Sequence, residues 1–327
     1  MTARRLQFAG LIFALAIAAS GVAQAAEPAS TDALTWLRKM ADAAHTLDYA
    51  GTFIYQHGST METSRIVHFT DASGDYEKLE TLDGPPREIV RDNDNVTCYL
   101  PRSKTVLVDK GQPRHFPTLL PAQVNGITRN YDLHTGAVRR VAGHHCQAIR
   151  LTPKDKLRYG HKFCVETSSG LPLVARMYDE NGKLIELFAF STIKIGGITR
   201  DMLKSKYAAV SGDWKVERSA LSEHEVKGDG VWQVEDRPAG FARLTEVQRM
   251  IAGQPQPITH IVFSDGLAAV SVFIEPLPAD APRTGQSRQG AVNIVTRPVA
   301  NHLVTVMGEV PTATIMQIAN SLAFKGQ

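Results

Sequence analysis

The sequence predicts an α+β protein that is mainly antiparallel β-sheet, in which a large half-open β-barrel with covering helices precedes a smaller C-terminal α+β domain. Two observations carry this prediction. Short apolar runs of strand length follow one another with turn residues between them, which is typical of antiparallel meanders. A charged stretch without apolar periodicity then separates two such regions of the chain.

The meander is clearest between residues 143 and 195, where no helix-length segment separates the apolar runs. Asn181 and Gly182 form the dipeptide that most strongly indicates a tight hairpin turn. The four strands predicted here are 146–151, 160–166, 173–178 and 184–190.

A helix is predicted over residues 32–47, because apolar residues recur at helical spacing from Leu34 to Ala44 and Asp32 is a suitable N-cap. A continuous antiparallel sheet of about ten strands should curl into a barrel or half-barrel, so we expect the helix to cover its open side. The Pro-bounded segment 116–124 predicts one helical turn or a lid. The strands predicted before the meander are 49–56, 63–70, 76–81, 88–91, 96–100 and 105–109.

The remainder of the chain divides at a polar stretch. Residues 198–230 are rich in Lys and Glu without a clear apolar period, which predicts a linker, with an irregular extension of the first domain (26–197) as the alternative. Residues 231–327 predict a second domain of about four strands and one helix that begins at Pro311, and the loop 276–290 is expected to be mobile. Strand-like segments in this domain are 241–250, 258–264, 267–275, 291–297 and 302–308.

Residues 1–25 have the three parts of a secretory signal peptide. Arg4 and Arg5 are the charged part, residues 6–19 are the apolar part, and the small residues Ala23 and Ala25 precede a cleavage site, so the mature chain is expected to begin at Ala26. An uncleaved membrane anchor is the alternative, although the apolar run is shorter than the ~20 residues that a spanning helix needs. We therefore expect an exported, soluble protein of a bacterial periplasm.

The charge and the motifs argue against several classes of function. The formal charge of +3 falls to +1 (3 − 2) without Arg4 and Arg5, which does not favour nucleic-acid binding. The sequence contains no phosphate-binding glycine loop, no nucleophile elbow and no H-E-x-x-H zinc motif. We therefore expect neither an enzyme nor a bound cofactor.

The cysteines allow three interpretations. Cys146 and Cys164 lie on the first two strands of the meander, and they face each other if the turn between them centres on Asp155. A disulfide fits an exported protein, whereas a one-residue slip of the register would leave two buried thiols. The same register puts His144 opposite Glu166, which supplies ligand types for zinc but spreads them too far along the strands. Cys98, the third cysteine, is predicted to be a thiol in the core.

The concave side of the predicted barrel is apolar, and such a cavity suits an acyl chain, which needs apolar area and few polar contacts. The alternative is that helices fill the cavity completely. The candidate pocket residues are Phe53, Ile149, Leu151, Phe163 and Val165.

Several short segments resemble a known family, in order along nearly the whole mature chain. The first region contains LDGPPREIV at 82–90, CQAIRL at 146–151 and GLPL at 170–173. The second contains FSDGL at 263–267, RTG at 283–285 and GEVP at 308–311. In these segments the sequence resembles the RseB/MucB family, the periplasmic regulators of the envelope-stress sigma factor.

The resemblance implies a larger domain similar to the lipoprotein carriers LolA and LolB. It also implies a partner, the periplasmic domain of a membrane-spanning anti-sigma factor of the RseA or MucA type, which the protein shields from the first protease of the stress cascade. Lipid or lipopolysaccharide would release that partner, and a homodimer is possible. The residues expected to bind the anti-sigma factor are Phe263, Asp265, Gly266, Arg283, Thr284, Gly285 and Arg288.

Two other classes of function compete with this interpretation. A lipid or lipoprotein carrier without a signalling role would use the same barrel, but it would not need the second domain. A redox enzyme would use the cysteine pair, but Cys146 and Cys164 do not form the C-x-x-C motif of such enzymes.

Overall fold

The computed structural model describes residues 30–110, 116–120, 124, 126–218, 223–225, 230–250, 256–277 and 284–326. The predicted signal peptide and the candidate Arg283 lie outside the described residues. Within the described ranges, no helix is both long and apolar enough to cross a membrane.

Twelve described strands form the larger sheet: β1 (Tyr49–His57), β2 (Thr60–Asp71), β3 (Gly74–Thr81), β4 (Glu88–Asp92), β5 (Asn95–Leu100), β6 (Thr105–Lys110), β7 (Tyr131–Val141), β8 (His144–Pro153), β9 (Gly160–Glu166), β10 (Pro172–Tyr178), β11 (Leu184–Ile195) and β12 (Lys215–Arg218). Their order is β12-β6-β5-β4-β3-β2-β1-β11-β10-β9-β8-β7. The two outermost strands, β12 and β7, do not pair with each other, so the sheet stays open as predicted. The ten strands predicted from the sequence are all present.

The sequence does not predict the two additional strands, β7 and β12. A β-bulge between Thr135 and Val138 shifts the register of β7, which interrupts its period of two. Strand β12 is short and exposed, and it pairs with β6 in the parallel direction, so the larger sheet is not antiparallel throughout.

Helix α1 (Ser30–Thr46) confirms the predicted N-terminal helix. It packs into the concave face of the larger sheet, where Leu37 and Met40 join Tyr49 of β1 and Ile66 of β2 in one core cluster. Its helical spacing of apolar residues therefore becomes a buried face, as the sequence predicts.

The segment 116–124 also enters the concave face, although its described residues are irregular rather than the predicted helical turn. Phe116 stacks on Phe188 with 5.4 Å between ring centroids, and it meets Phe53 edge-on. Leu120 and Val124 are buried in the same cluster. One turn of helix, α2 (Ile127–Asn130), follows and leads into β7.

The segment predicted as a linker crosses the convex face of the larger sheet. Ile198 and Leu203 pack on Val67 of β2, and Lys206 forms an ion pair with Glu80 of β3. The next contact is Tyr207 on Tyr99 of β5, after which β12 pairs with β6. We call residues 198–218 the strap, because it attaches to strand after strand of the sheet.

A second sheet of seven described strands follows: β13 (Glu223–Glu225), β15 (Ala242–Arg249), β16 (Ile258–Ser264), β17 (Ala269–Pro276), β18 (Gly285–Gln289), β19 (Val292–Val299) and β20 (His302–Gly308). Helix α3 (Thr312–Ser321) covers it with Ile315 and Ile318, as predicted. A small two-stranded sheet, β14 (Trp232–Val234) with β21 (Leu322–Phe324), lies beside α3. Part of the predicted loop 276–290 is the edge strand β18, and residues 278–283 lie outside the described residues. The division 26–197, 198–230 and 231–327 stays a prediction.

A candidate site between the two sheets

The cysteine pair fixes the position of β8 against β9. Cys146 and Cys164 form a disulfide with 5.3 Å between their Cα atoms. The strands are shifted by two residues from the predicted register, so that Cys164 faces Ala148 and the two cysteines are diagonal neighbours. A shift of two keeps both side chains on one face, which explains why the bond still forms.

The zinc interpretation is wrong in its geometry, since Glu166 faces Cys146 rather than His144. Within the described residues, no group of three or more His, Cys, Asp or Glu is placed to hold a metal ion. Cys98 carries a free thiol that is only half-buried, and burial raises the pKa of this thiol.

A cavity of about 470 Å³ lies between the concave face of the larger sheet and the second sheet. Phe163 and Phe188 line it from the larger sheet, and Leu267, Phe273 and Met307 line it from the second. The walls are therefore mainly apolar and come from both sheets, so any change in their relative position alters the cavity.

Polar groups stand at the margin of this cavity. Glu186 is buried, and its Oε1 accepts hydrogen bonds from the Tyr55 hydroxyl at 2.7 Å and from the Ala291 amide at 3.1 Å. Burial and the neighbouring Glu186 carboxylate raise the pKa of Tyr55, which keeps this phenol a donor. His161 also lines the cavity, and burial lowers its pKa to about 4, so the imidazole is neutral at neutral pH.

A buried ion pair joins the two sheets beside the cavity. Arg158, in the connection between β8 and β9, lies 2.8 Å from Asp265, in the turn between β16 and β17, and their side chains are 1% and 0% exposed. The guanidinium group also lies over the rings of Tyr131 and Phe241, 5.8 and 5.3 Å from their centroids. We call Arg158 and Asp265 the interface ion pair.

Each partner of the interface ion pair has further hydrogen bonds. Arg158 Nη1 donates to Asp155 at 2.7 Å and Nη2 to the Ala239 carbonyl at 2.6 Å. Asp265 Oδ1 accepts from the amides of Leu267 and Ala268. This shell compensates for the desolvation of both charges, which is the condition for a buried ion pair to be stable.

Two more side-chain bonds close the interface. Asn293 Nδ2 donates to the Tyr159 hydroxyl at 3.0 Å, and the Thr314 hydroxyl donates to the Leu157 carbonyl at 2.6 Å. An apolar cluster of Tyr159, Met177, Ile185 and Ala291 lies beside them.

Comparison with known proteins assigns this architecture. A family model described as the MucB/RseB N-terminal domain matches residues 32–211, and the MucB/RseB C-terminal domain matches residues 226–323. The chain belongs to the MucB/RseB family.

Relatives within the MucB/RseB family cover almost all of the chain. It is 30% identical over 299 residues to the sigma factor AlgU regulatory protein MucB of Pseudomonas aeruginosa, which covers 90% of this chain and 91% of that protein. It is 26% identical over 324 residues to the sigma-E factor regulatory protein RseB of Haemophilus influenzae, with 98% of both chains covered. These relatives are regulatory proteins.

Solved MucB structures have the same fold. MucB in the Pseudomonas aeruginosa MucA/MucB complex is 27% identical and superposes with a TM-score of 0.71, over 90% of this chain and 100% of that one. MucB in complex with MucA(peri) gives a TM-score of 0.70 at the same identity and coverage.

The pocket residues predicted for this MucB/RseB chain lie in the core of the larger sheet. Phe53, Ile149, Leu151 and Val165 are packed within its main cluster. Phe163 belongs to the same cluster and also lines the cavity between the sheets. The structure thus joins Phe163 to the cavity between the sheets, and Ile149 also borders a cleft of about 500 Å³ on the larger sheet.

The residues predicted to bind an anti-sigma factor fall into two groups. Phe263 and Asp265 are buried, and Gly266 belongs to the same turn, where Asp265 contacts Arg158. Thr284, Gly285 and Arg288 are exposed at the free edge of the second sheet, on or next to β18. The structure does not bring these two groups together.

Sequence reasoning missed three residues that contribute to the interface: Glu186 and Tyr131 on strands of the larger sheet, and Arg158 in a connection between two of its strands. The sequence contains only a weak indication that Arg158 is buried. Arg158 lies between Leu157 and Tyr159, so a charged residue with apolar neighbours was the only sign that its surroundings are buried.

Proposed function

We propose that the chain is a periplasmic negative regulator of an envelope-stress sigma factor. In this proposal it binds the periplasmic domain of a membrane-spanning anti-sigma factor of the RseA or MucA type and shields it from site-1 proteolysis. The observation that carries the proposal is the match, over 90% of the chain, to MucB solved in complex with MucA(peri).

The cysteine pair and the N-terminal pattern support the periplasm as the compartment. A disulfide persists where the surroundings are oxidising, and Cys146 is bonded to Cys164. The first 25 residues have the composition of a cleavable signal peptide.

Release by lipid or lipopolysaccharide is the second part of the proposal. A ligand shifts an equilibrium only through its differential affinity for two states. The cavity has walls from both sheets, so an acyl chain between Phe163 and Phe273 would contact both walls in only one relative position of the sheets. That position is the state which the lipid would favour, and the anti-sigma factor would bind the other more tightly.

The exposed edge strand β18 is the proposed contact for the anti-sigma factor. An edge strand offers unpaired backbone groups to an extended peptide, and β18 pairs only with β19 among the described strands. Arg288 is exposed there, and its Nε donates to the Gly290 carbonyl.

The deciding experiment is a pull-down of the mature chain, residues 26–327, with the periplasmic segment of the anti-sigma factor from the same genome, with and without lipopolysaccharide. Binding that lipopolysaccharide relieves is the expected result. If lipopolysaccharide has no effect on the binding, the chain still fits the proposed regulator, but lipid does not release its partner. Absence of binding, with acyl chains still retained, would favour a lipid or lipoprotein carrier.

Reversal of charge on Arg288 of β18, and on Arg283 a few residues earlier in the sequence, tests the proposed contact. We expect Arg283→Glu together with Arg288→Glu to weaken binding of the anti-sigma segment about tenfold or more, because charge-assisted contacts contribute about 1.5–3 kcal/mol each. Arg102→Glu with Lys110→Glu, two exposed cations on the larger sheet, is the matched control. If the variant with Arg283→Glu and Arg288→Glu binds the anti-sigma segment with unchanged affinity, this edge is not part of the binding site.

A further inference from the structure

Two carboxyl groups, one from each sheet, are brought close together at the margin of the cavity between the sheets. Glu186 lies on β11 of the larger sheet, and Glu309 lies in the connection between β20 and α3 of the second. Both residues line the cavity. Burial, the hydrogen bond to Glu186 and the charges of both carboxylates raise the pKa of Tyr55, so the two groups act on one hydroxyl. We call Glu186 and Glu309 the carboxyl pair.

Glu186 holds the turn between β18 and β19 against the larger sheet. Its Oε1 accepts the hydrogen bond from the amide of Ala291, a residue that is 0% exposed. The backbone of the turn comes so close that a Cβ atom on Gly290 would lie 3.1 Å from Glu186 Oε1 and 3.3 Å from the Tyr55 hydroxyl oxygen. Glu186 therefore cannot move away from Glu309 without losing the bonds that dock the turn.

Glu309 is held in place by its neighbours in the chain. Val310 is 0% exposed, and its carbonyl accepts a hydrogen bond from Asn293 Nδ2 at 2.7 Å. Glu309 itself is exposed to solvent, so protons reach it from water in the folded protein. The surrounding protein atoms, which displace water from the carboxyl group, and the Glu186 carboxylate together raise the pKa of Glu309 to about 7.

The other charged groups nearby do not cancel this repulsion. The pKa of Glu309 is raised and not lowered, so desolvation and the Glu186 carboxylate outweigh any attraction to the cations beside them. The titratable and charged side chains that border the carboxyl pair are Tyr55 and His57 of β1, Glu62 of β2, His161 of β9, Arg176 of β10 and Arg288 of β18.

We propose that protonation of Glu309 strengthens the docking of the second sheet on the larger sheet, so that the interface loosens as the pH rises through neutrality. A proton on one member of the carboxyl pair removes the repulsion between two like charges. At higher pH both groups are ionised, and the repulsion acts across the interface beside the docked Ala291 amide. This inference goes beyond the proposed function, because the docking of the two sheets involves no partner.

Proton linkage gives the size of the expected effect. The pKa of Glu309 is about 7 in the docked state, and it returns to about 4.3, the ordinary value of a glutamate, when the sheets separate. The docked state then binds the proton more tightly, so docking is strongest below about pH 4, weakens as the pH rises towards 7 and is constant above about pH 8. Between about pH 6 and about pH 8 the docking equilibrium should weaken about tenfold.

Hydrogen exchange of the Ala291 amide in the full mature chain tests the proposal. Its protection factor, which is corrected for the intrinsic exchange rate at each pH, should fall about tenfold from about pH 6 to about pH 8. Glu309→Gln is uncharged throughout this range, so its protection factor should not depend on pH and should be at least as high as that of the wild type at about pH 6. Glu180→Gln removes an exposed carboxyl group between β10 and β11, and this matched control should keep the wild-type pH dependence.

A wild-type protection factor that is the same at both pH values, or an equal fall in Glu309→Gln, would overturn the proposal. Histidine is the other type of side chain that changes charge near neutral pH, and His57 lies beside the turn. A pH dependence that is lost in His57→Gln and kept in Glu309→Gln would assign the effect to this histidine and also overturn the proposal. The wild-type chain gives a readout that needs no variant: the carboxyl carbon of Glu309 should titrate near pH 7 in its NMR spectrum, and a midpoint near about pH 4 would contradict the proposal.

Discussion

Asp75 of β3 illustrates how a single carboxylate holds the rim of the larger sheet. It lies 2.8 Å from His68 Nε2 and 3.0 Å from Arg91 Nη2, while His68 Nδ1 lies 2.7 Å from the Leu47 carbonyl just after α1. His68 also stacks on Tyr49, with 4.7 Å between ring centroids. Through these contacts the carboxylate links three strands to the end of the helix.

We expect Asp75→Asn to lower the free energy of unfolding by about 3 kcal/mol, because it removes the carboxylate that accepts two hydrogen bonds from the buried Arg91, whose next carboxylate, that of Glu77, is 3.9 Å away. Burial alone would raise the pKa of Asp75, but hydrogen bonds from His68 and Arg91 outweigh it and lower the pKa to about 2. The unfolded chain then binds the proton more tightly, so this stability is present above about pH 4 and is lost as the pH falls towards 2. Urea unfolding at several pH values measures it, and a difference between wild type and variant that stayed constant down to pH 2 would contradict this assignment.

At the scale of the element, the strands that the sequence predicts are short apolar runs bounded by turn residues. Ten strands of the larger sheet have this pattern, and the structure contains all ten. Strand β7 was missed because its bulge breaks the alternation, and β12 because a polar strand at an edge has no buried face to mark it. The register of β8 on β9 differs from the prediction by two residues, because the connection between the strands centres on Lys156 and not on Asp155.

The attachment of β12 is testable with a pair of proline variants. Lys215 N donates to the Lys104 carbonyl at 2.9 Å, and alternate residues of a parallel strand bond to the same neighbour, so the Glu217 amide faces β6 and the Val216 amide faces away. We expect Glu217→Pro to detach β12 and to increase proteolytic cleavage of the strap severalfold, since proline lacks the donor. Val216→Pro is the matched control, and equal cleavage in both variants would show that this pairing does not hold the strap.

At the scale of the molecule, the interface between the two sheets could not be predicted from the sequence. Its central pair, Arg158 and Asp265, belongs to connections in two different sheets, and neither local periodicity nor a motif links them. Asp265 lies between the predicted strands 258–264 and 267–275, and the structure places it in the turn between β16 and β17, but the burial of that turn follows from the docking of one sheet on the other.

A double-mutant cycle measures the coupling of the sheets. We expect Arg158→Met and Asp265→Asn each to destabilise the protein by about 3–5 kcal/mol, because each leaves a buried polar group without its partner. The double variant should be more stable than the sum of the two losses predicts, by about 1–3 kcal/mol. Guanidinium unfolding gives these values, and strict additivity would mean that the ion pair does not couple the sheets.

The disulfide between Cys146 and Cys164 makes the stability of the fold depend on whether the chain is reduced or oxidised. Closing a loop of this size removes conformational freedom from the unfolded chain, which stabilises the fold by about 3 kcal/mol. In the export route proposed above, the newly made chain in a reducing cytoplasm would lack this contribution, which would favour the unfolded state that translocation needs. Oxidation in the proposed periplasmic location would then add the stability of the disulfide, so the final structure would form after export.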